Sequence, residues 1–399
     1  MTRTPVLLAG GLLLLGILLA GLGNGPAAAR DAAMHKVVCD DGRAVIGVRL
    51  GERIMLLRDM AFGEGFRFFP DGAIAVVSRR PTLRLLMAVG DSSYLVEGQG
   101  MQSLTRAARV LAPGAPGSFD NGYAGISAAY SDEASGELLA FYHAEDHKDM
   151  PPGEQGTAPP FYCCIALAVS KDGGGTFAKV GPVITSALAK DPKGMRDQGA
   201  GECSICPDEN GRYLYCYYTE HSRLDGRGVQ TCVARCPIKD RGRPGSWMKF
   251  HQGSFGEPAL GGRDTPVVTA IDMQADAAMP HVSFCRKLGR YVMVLNINAY
   301  REMLERRPPE QSGIYVAFSE DGVAWSKPAR LITAYFFTMR GDEYAWHPTV
   351  IWDDPEGESG SGWLCYAYDP SGGPHYLVGH RVAFAIERRA PPRRGQGDQ

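Results

Sequence analysis

The chain has 399 residues, too many for a minidomain and enough for one large core or two ordinary ones. Glycine (50) and proline (27) are frequent, yet 44% of residues are hydrophobic, so the chain is turn-rich and disorder throughout is excluded. Lys+Arg (42) against Asp+Glu (44) leaves a formal charge of -2, which excludes a global basic field of the kind that draws a protein to nucleic acid.

The first element is an address. One charge (Arg3), an apolar run from Val6 to Leu22, a break at Gly25 and Pro26 and then Ala27-Ala28-Ala29 predict a cleavable signal peptide over 1–29, with the mature chain starting near Arg30 in a secreted or periplasmic location. An uncleaved membrane anchor is the alternative, since the run approaches the length of a span. Ten cysteines follow this segment, an even count that in an oxidising compartment favours disulfides for some of them. Cys203-x-x-Cys206 has no second knuckle at matching spacing, so no metal site is expected there.

Beyond the leader, short runs of aromatic and β-branched residues bounded by Gly, Asp, Asn and Pro predict an all-β fold, with only 299–307 amphipathic in the helical sense. Residues 39–116 hold one unit, with GFRFFPDGAIAVVS (65–78) as its hairpin around Asp71-Gly72. Four further hairpins follow: GISAAYSDEASGELLAFYH (125–143), ECSICPDENGRYLYCYYT (202–219), HVSFCRKLGRYVMVLN (281–296) and HPTVIWDDPEGESGSGWLCYAY (347–368). Their turn glycines, Gly136, Gly211, Gly289 and Gly362, are 75, 78 and 73 residues apart. Each hairpin leads to a third strand, and two of those strands end in matching turns, FYCCIALAVSKDGGGTF (161–177) and GIYVAFSEDGVAWSKP (313–328). In the shared S-x-D-G core the Asp accepts amides of its own turn, while Phe177 or Trp325 packs between neighbouring sheets; VARCPIKDRGRPGSWMKF (233–250) is a degenerate copy. With a fourth strand per repeat, the prediction is a five-bladed β-propeller over 37–388, its four-stranded antiparallel blades near 39–116, 120–190, 200–255, 276–335 and 343–388. The last unit stops at its third strand, so RAVIGVRL (43–50) is expected to complete it, and 389–399 is expected to be a disordered tail.

The innermost strands of such a ring surround a channel, and residues at their starts face one mouth of it. Asp120, Glu202, Asp276, His281, Glu343 and His347 occupy those positions. Convergent carboxylates from distant segments are what glycosidic cleavage needs, one as acid and one as base. Tyr123 and Trp346 are candidates to stack on sugar rings, His281 and His347 to bond substrate hydroxyls at the channel mouth, and His143 to bind substrate where its strand leads into a long loop; Trp352 reads as packing. His143 and His147 are separated by four residues on a strand-to-loop segment, where that spacing is not expected to put them on one face.

These features resemble the five-bladed propeller glycoside hydrolases of the arabinanase, β-xylosidase and invertase-like group. SEDGVAWSKP is similar to a turn frequent in that group, and Glu202 ahead of the Gly-Arg-Tyr-Leu-Tyr hairpin looks like the strand carrying its general acid. The resemblance implies an Asp at the start of the first inner strand as base, for which Asp120 is the nearest match, and a third carboxylate orienting the acid, for which Asp276 and Glu343 compete. It implies a carbohydrate as partner, no nucleic acid, action as a monomer, no required cofactor and room for a structural calcium ion. Two rivals remain. A sialidase shares the S-x-D-G turns and an Arg-containing motif faintly similar to FRFFP around Arg67, but needs a sixth blade. A non-catalytic glycan-binding propeller would use the same pocket without cleavage.

Overall fold

The computed structural model describes residues 35–40, 44–63, 69–153, 159–223, 228–299, 302, 305, 310–334, 344–370 and 375–387. The leader, the tail, Arg67, Glu343 and most of 299–307 lie outside them. Apart from single 3-10 turns and the helical residues Glu302 and Glu305, the regular structure described is strand.

Two strands come first, β1 (His35–Asp40) and β2 (Val45–Arg58). The next four, β3 (Ala75–Ser78), β4 (Leu83–Val89), β5 (Ser92–Gly98) and β6 (Thr105–Leu111), form an antiparallel sheet in chain order. So do β7 (Tyr123–Asp132), β8 (Glu137–Asp146), β9 (Tyr162–Ser170) and β10 (Ala178–Ile184). After them come β11 (Gln198–Pro207), β12 (Tyr213–Glu220), β13 (Gln230–Pro237), β14 (Met248–His251) and β15 (Ser254–Pro258). A short parallel contact, Gln198 with Tyr162 and Gly199 with Cys163, joins β11 to β9. Another antiparallel sheet holds β16 (Ala275–Cys285), β17 (Arg290–Ala299), β18 (Gly313–Ser319) and β19 (Ala329–Thr333). The last sheet runs β20 (Tyr344–Trp352), β21 (Ser361–Asp369), β22 (Tyr376–Glu387), then β2 and β1. β2 pairs with β22 from Val45 opposite Glu387 to Arg58 opposite Tyr376, so the segment expected to complete the last unit does pair there.

Each sheet buries both faces against its neighbours, and the contacts close on themselves. Leu86 and Leu95 of β4 and β5 share a core with Ile126 and Tyr142 of β7 and β8. Phe141 and Leu167 meet Cys203, Leu214 and Trp247. Tyr217 and Val233 meet Val282 and Met293, and Val292 and Phe318 meet Trp352, Leu364 and Phe384. Ile351 and Cys365 then return to Leu85 and Phe69 near the chain start. This ring of sheets is a propeller arrangement, with β3, β7, β11, β16 and β20 innermost.

Local chemistry explains the repeat. Gly136, Gly211 and Gly289 turn their hairpins with φ between 60° and 70°; in the last hairpin Gly360 (φ 63°), not Gly362, takes that role. In both S-x-D-G turns the Asp accepts amides of its own turn. Asp172 Oδ1 takes those of Gly175 and Thr176 (3.0 Å each), and Asp321 Oδ1 those of Val323 and Ala324 (2.8 Å each). Trp325 and Trp247 then pack edge-on against Tyr217 and Phe141 of the preceding sheet.

Two expectations need correction. Asp71-Gly72 does not turn a hairpin; it precedes the inner strand β3, and the reversal to β4 falls at 79–82. Among the described residues no disulfide is formed: Cys163, Cys164, Cys203, Cys206, Cys216, Cys232, Cys236, Cys285 and Cys365 are buried free thiols. Many act as small apolar groups in the cores between sheets, as Cys203, Cys216, Cys232 and Cys236 do together.

The β9–β11 contact makes a stability prediction. Gly199 has φ 99°, and a Cβ there would lie 2.0 Å from the Cys163 carbonyl oxygen. Gly199→Ala should therefore lower the denaturant midpoint of unfolding, by an equivalent of about 2–3 kcal/mol.

Candidate active site

The inner strands share a local irregularity that builds the site. Register breaks between Ile126 and Ala128, between Gly201 and Cys203, between Ala278 and His281 and between Trp346 and Thr349. Glu202 (φ 36°), Met279 (φ 57°) and His347 (φ 52°) sit in three of these bulges with left-handed backbone. A bulge re-aims a side chain that regular alternation would send into an inter-sheet core. It also frees backbone amides, which the neighbouring sheet captures: Cys203 N–H on Ser127 Oγ (3.3 Å) and Met279 N–H on Thr219 Oγ1 (2.9 Å).

Around Glu202 the structure gathers carboxylates and histidines from distant segments. His221 Nε2 lies 2.7 Å from Glu202 Oε2, and the Glu202 amide donates to His143 Nδ1 (3.0 Å). His143 Nε2 and His147 Nε2 meet the two oxygens of Glu145 at 3.0 and 2.6 Å. His143, Glu145 and His147 therefore lie on one side, contrary to expectation, because strand alternation persists through β8, which runs to Asp146. Asp71 Oδ1 is 3.3 Å from His347 Nε2, and its carbonyl accepts the Tyr123 hydroxyl (2.5 Å). Phe161 packs against the rings of His143, His147 and His221. The cluster is recessed but reachable: the side chain of Glu202 is 14% exposed, that of Asp71 25% and that of His147 32%.

The local fields push the two axial carboxyls apart. Burial raises the pKa of Asp71, and His347 only partly offsets this. Burial also acts on Glu202, but His221, with His143 and His347, outweighs it and brings the carboxyl down to about 2. His221 is pulled down by burial and lifted further by Glu202 and Asp197, so its net shift is upward. At His143, burial is outweighed by Glu145, Glu202 and Asp71, which draw the ring up to about 9. The Glu202 amide nonetheless needs a lone pair on Nδ1, so the observed bond requires the neutral Nε2–H form; a second proton would break it.

Of the residues chosen from sequence, Glu202, His143, His347 and Tyr123 come together. Asp120 does not join them. It is buried and bonded to Ser118 Oγ (2.9 Å), to the Tyr142 hydroxyl (3.2 Å) and to Lys179. Tyr142 and His143 are adjacent on β8 and point to opposite faces, so Asp120 lies across the sheet from the cluster. Asp276 takes the Val229 amide (2.8 Å), tying two segments together. His281 lies beyond its bulge, where Nδ1 accepts the Val350 amide (3.3 Å) and burial lowers its pKa to about 4. Trp346 is only 6% exposed and packs against Tyr344 and His347, offering little open face. Asp71, Glu145, Asp197 and His221 were not singled out; Asp71 was hidden by its Asp-Gly pair, which reads as a turn.

No protein-family model matches the chain, and neither does any curated protein. Solved structures to which it is similar include an endo-arabinase from Bacteroides thetaiotaomicron VPI-5482 (11% identity, 85% of this chain and 99% of the other, TM-score 0.46). An alpha-L-arabinofuranosidase from Lactobacillus brevis shares 11% identity over 78% of this chain and 90% of its own, with TM-score 0.49. An alpha-L-arabinanase from Penicillium chrysogenum complexed with arabinobiose shares 12% over 84% and 98%, with TM-score 0.47.

Proposed function

We propose that this chain is a five-bladed propeller that hydrolyses a glycosidic bond with Asp71 and Glu202. The observation behind this reading is the pair itself: two recessed carboxyls, both in the field of His347, whose surroundings shift them in opposite directions. Asp71 stands ahead of the first inner strand, the place that the resemblance gives to a catalytic Asp. The division of labour follows the local fields. Asp71 holds the proton and delivers it to the leaving-group oxygen as the C–O bond breaks. Glu202, kept ionised by His221, opposes the positive charge that develops at the anomeric carbon; a water then adds its oxygen to that carbon, and the proton it releases returns to the carboxylates so that Asp71 is reprotonated. Glu202 thereby moves from the acid role that resemblance suggests to that of the carboxylate. His143, His147 and Tyr123 supply polar edges for sugar hydroxyls, and Phe161 an apolar surface.

A pH profile tests the assignment. The active form needs Glu202 ionised and Asp71 protonated, so activity falls on the acid side as Glu202 takes a proton and on the alkaline side as Asp71 loses one. His221→Gln removes the main influence holding Glu202 down and should move the acid limb of kcat/KM to higher pH, narrowing the bell. A limb unmoved by this change contradicts the role given to His221. The function itself is tested by incubating the wild-type chain with aryl glycosides and with plant and microbial oligosaccharides. Release of reducing sugar supports the enzyme. Saturable binding with no turnover of any of them supports a glycan-binding propeller instead.

A further inference from the structure

The five inner strands run in the same sense, from the Asp71–Glu202 end of the channel toward the other. Beyond the bulges they line a partly open cavity of about 440 Å³, and no residue of the histidine–carboxylate cluster contributes to its wall. That volume suits a single small polar molecule.

Three hydrogen-bond donors reach this cavity along one edge of β20, between Val350 and Trp352. Arg79 donates one N–H to the Trp352 carbonyl, and its other N–H groups have no hydrogen-bonding partner among the described residues. The acids nearest it are engaged elsewhere: Asp353 pairs with Arg381, and Asp354 takes the amides of Glu358 and Ser359. His281 accepts the Val350 amide at Nδ1, which leaves the proton on Nε2, again with no partner among the described residues. Ser283 Oγ accepts the Trp352 indole N–H (2.9 Å), and its own O–H remains to be given. All three residues line the cavity. Burial lowers the pKa of Arg79, the mark of a guanidinium partly stripped of water. A partly desolvated guanidinium that keeps only one of its N–H groups bonded to protein can still offer the others in pairs, and a carboxylate answers such a fork with two parallel bonds.

We propose that this far end of the channel is a second binding site, for a small polyhydroxylated carboxylate such as a sugar acid. Its carboxylate is held by Arg79, and its hydroxyls accept from His281 Nε2–H and Ser283 O–H. The site shares no residue with the Asp71–Glu202 cluster, so it stands whether or not that cluster is catalytic.

Calorimetric titration of the full chain with D-galacturonate and D-gluconate, beside neutral D-galactose, tests the proposal. At least one acid should bind saturably, about tenfold or more tighter than galactose, and Arg79→Gln should weaken it by a similar factor. Glu202→Gln should leave that binding unchanged. Should Arg79→Gln fail to fold, Arg79→Lys, which keeps the charge and loses the fork, should bind more weakly than wild type, and the His281 ring proton resonances of wild type should shift with added acid. No saturable binding of either acid at millimolar concentration, wild-type affinity in the Arg79 variant that folds, or loss of binding in Glu202→Gln would each overturn the proposal.

Discussion

Replacing Glu202 by Gln is expected to reduce turnover of any glycoside the wild-type chain cleaves by about three orders of magnitude, the scale on which positioned acid–base groups act. Glutamine keeps the shape but not the charge that faces His221 at 2.7 Å. Asp71→Asn is expected to cost a similar factor, since an amide cannot deliver the proton. The double variant should be little worse than either single one, because two groups acting on one bond do not contribute independently. The measurement is kcat on one substrate with all three variants, with circular dichroism to confirm folding. Near-wild-type kcat in either single variant would remove that residue from the mechanism.

Asp120→Ala is expected to behave in the opposite way. Its carboxylate is buried with Lys179, the Tyr142 hydroxyl and Ser118 around it. Removing it strands an ammonium whose side chain is only 27% exposed and a phenol inside the sheet stack. A loss of about 2–3 kcal/mol follows, below the figure for a fully buried pair because Lys179 can still reach water. Denaturant unfolding reads this loss, while kcat at a temperature where both proteins are folded should stay within about twofold of wild type, since Asp120 lies across the sheet from Glu202. A catalytic collapse without loss of stability would restore Asp120 to the site.

The pH dependence of folding carries the same electrostatics. Glu202 lies below its unfolded value, so its contribution is fully present above the ordinary carboxylate range and is lost as pH falls toward about 2. His221 lies above its unfolded value, so its contribution is present below the ordinary imidazole pKa and fades as pH rises through the raised one. The ion pair is therefore whole across mildly acidic pH, where both conditions hold.

Much of the architecture was legible in the residues alone because it is written in local rules. Short apolar runs bounded by turn residues mark strands, left-handed glycines at 136, 211 and 289 mark three of the hairpins, and Asp172 and Asp321 bond amides only a few residues away. The spacing of those hairpins, and the β-strand left over at the start for β22 to pair with, need no knowledge of distant contacts. The site was half legible. Glu202 stood out as a carboxylate in an apolar strand, and His347 as a polar residue beside Pro348. What the tertiary structure alone decided is which way these side chains face and what they meet. A bulge turns Glu202 toward the channel by adding one residue to a strand, a change that no alternation rule announces. Asp71 and Asp120 both precede inner strands, in Asp-Gly and Asp-Asn-Gly sequences alike. One meets His347, a partner far along the chain, and the other meets Lys179 within its own sheet. Local sequence sets backbone shape, but the field at a carboxyl comes from whatever the closed ring brings beside it.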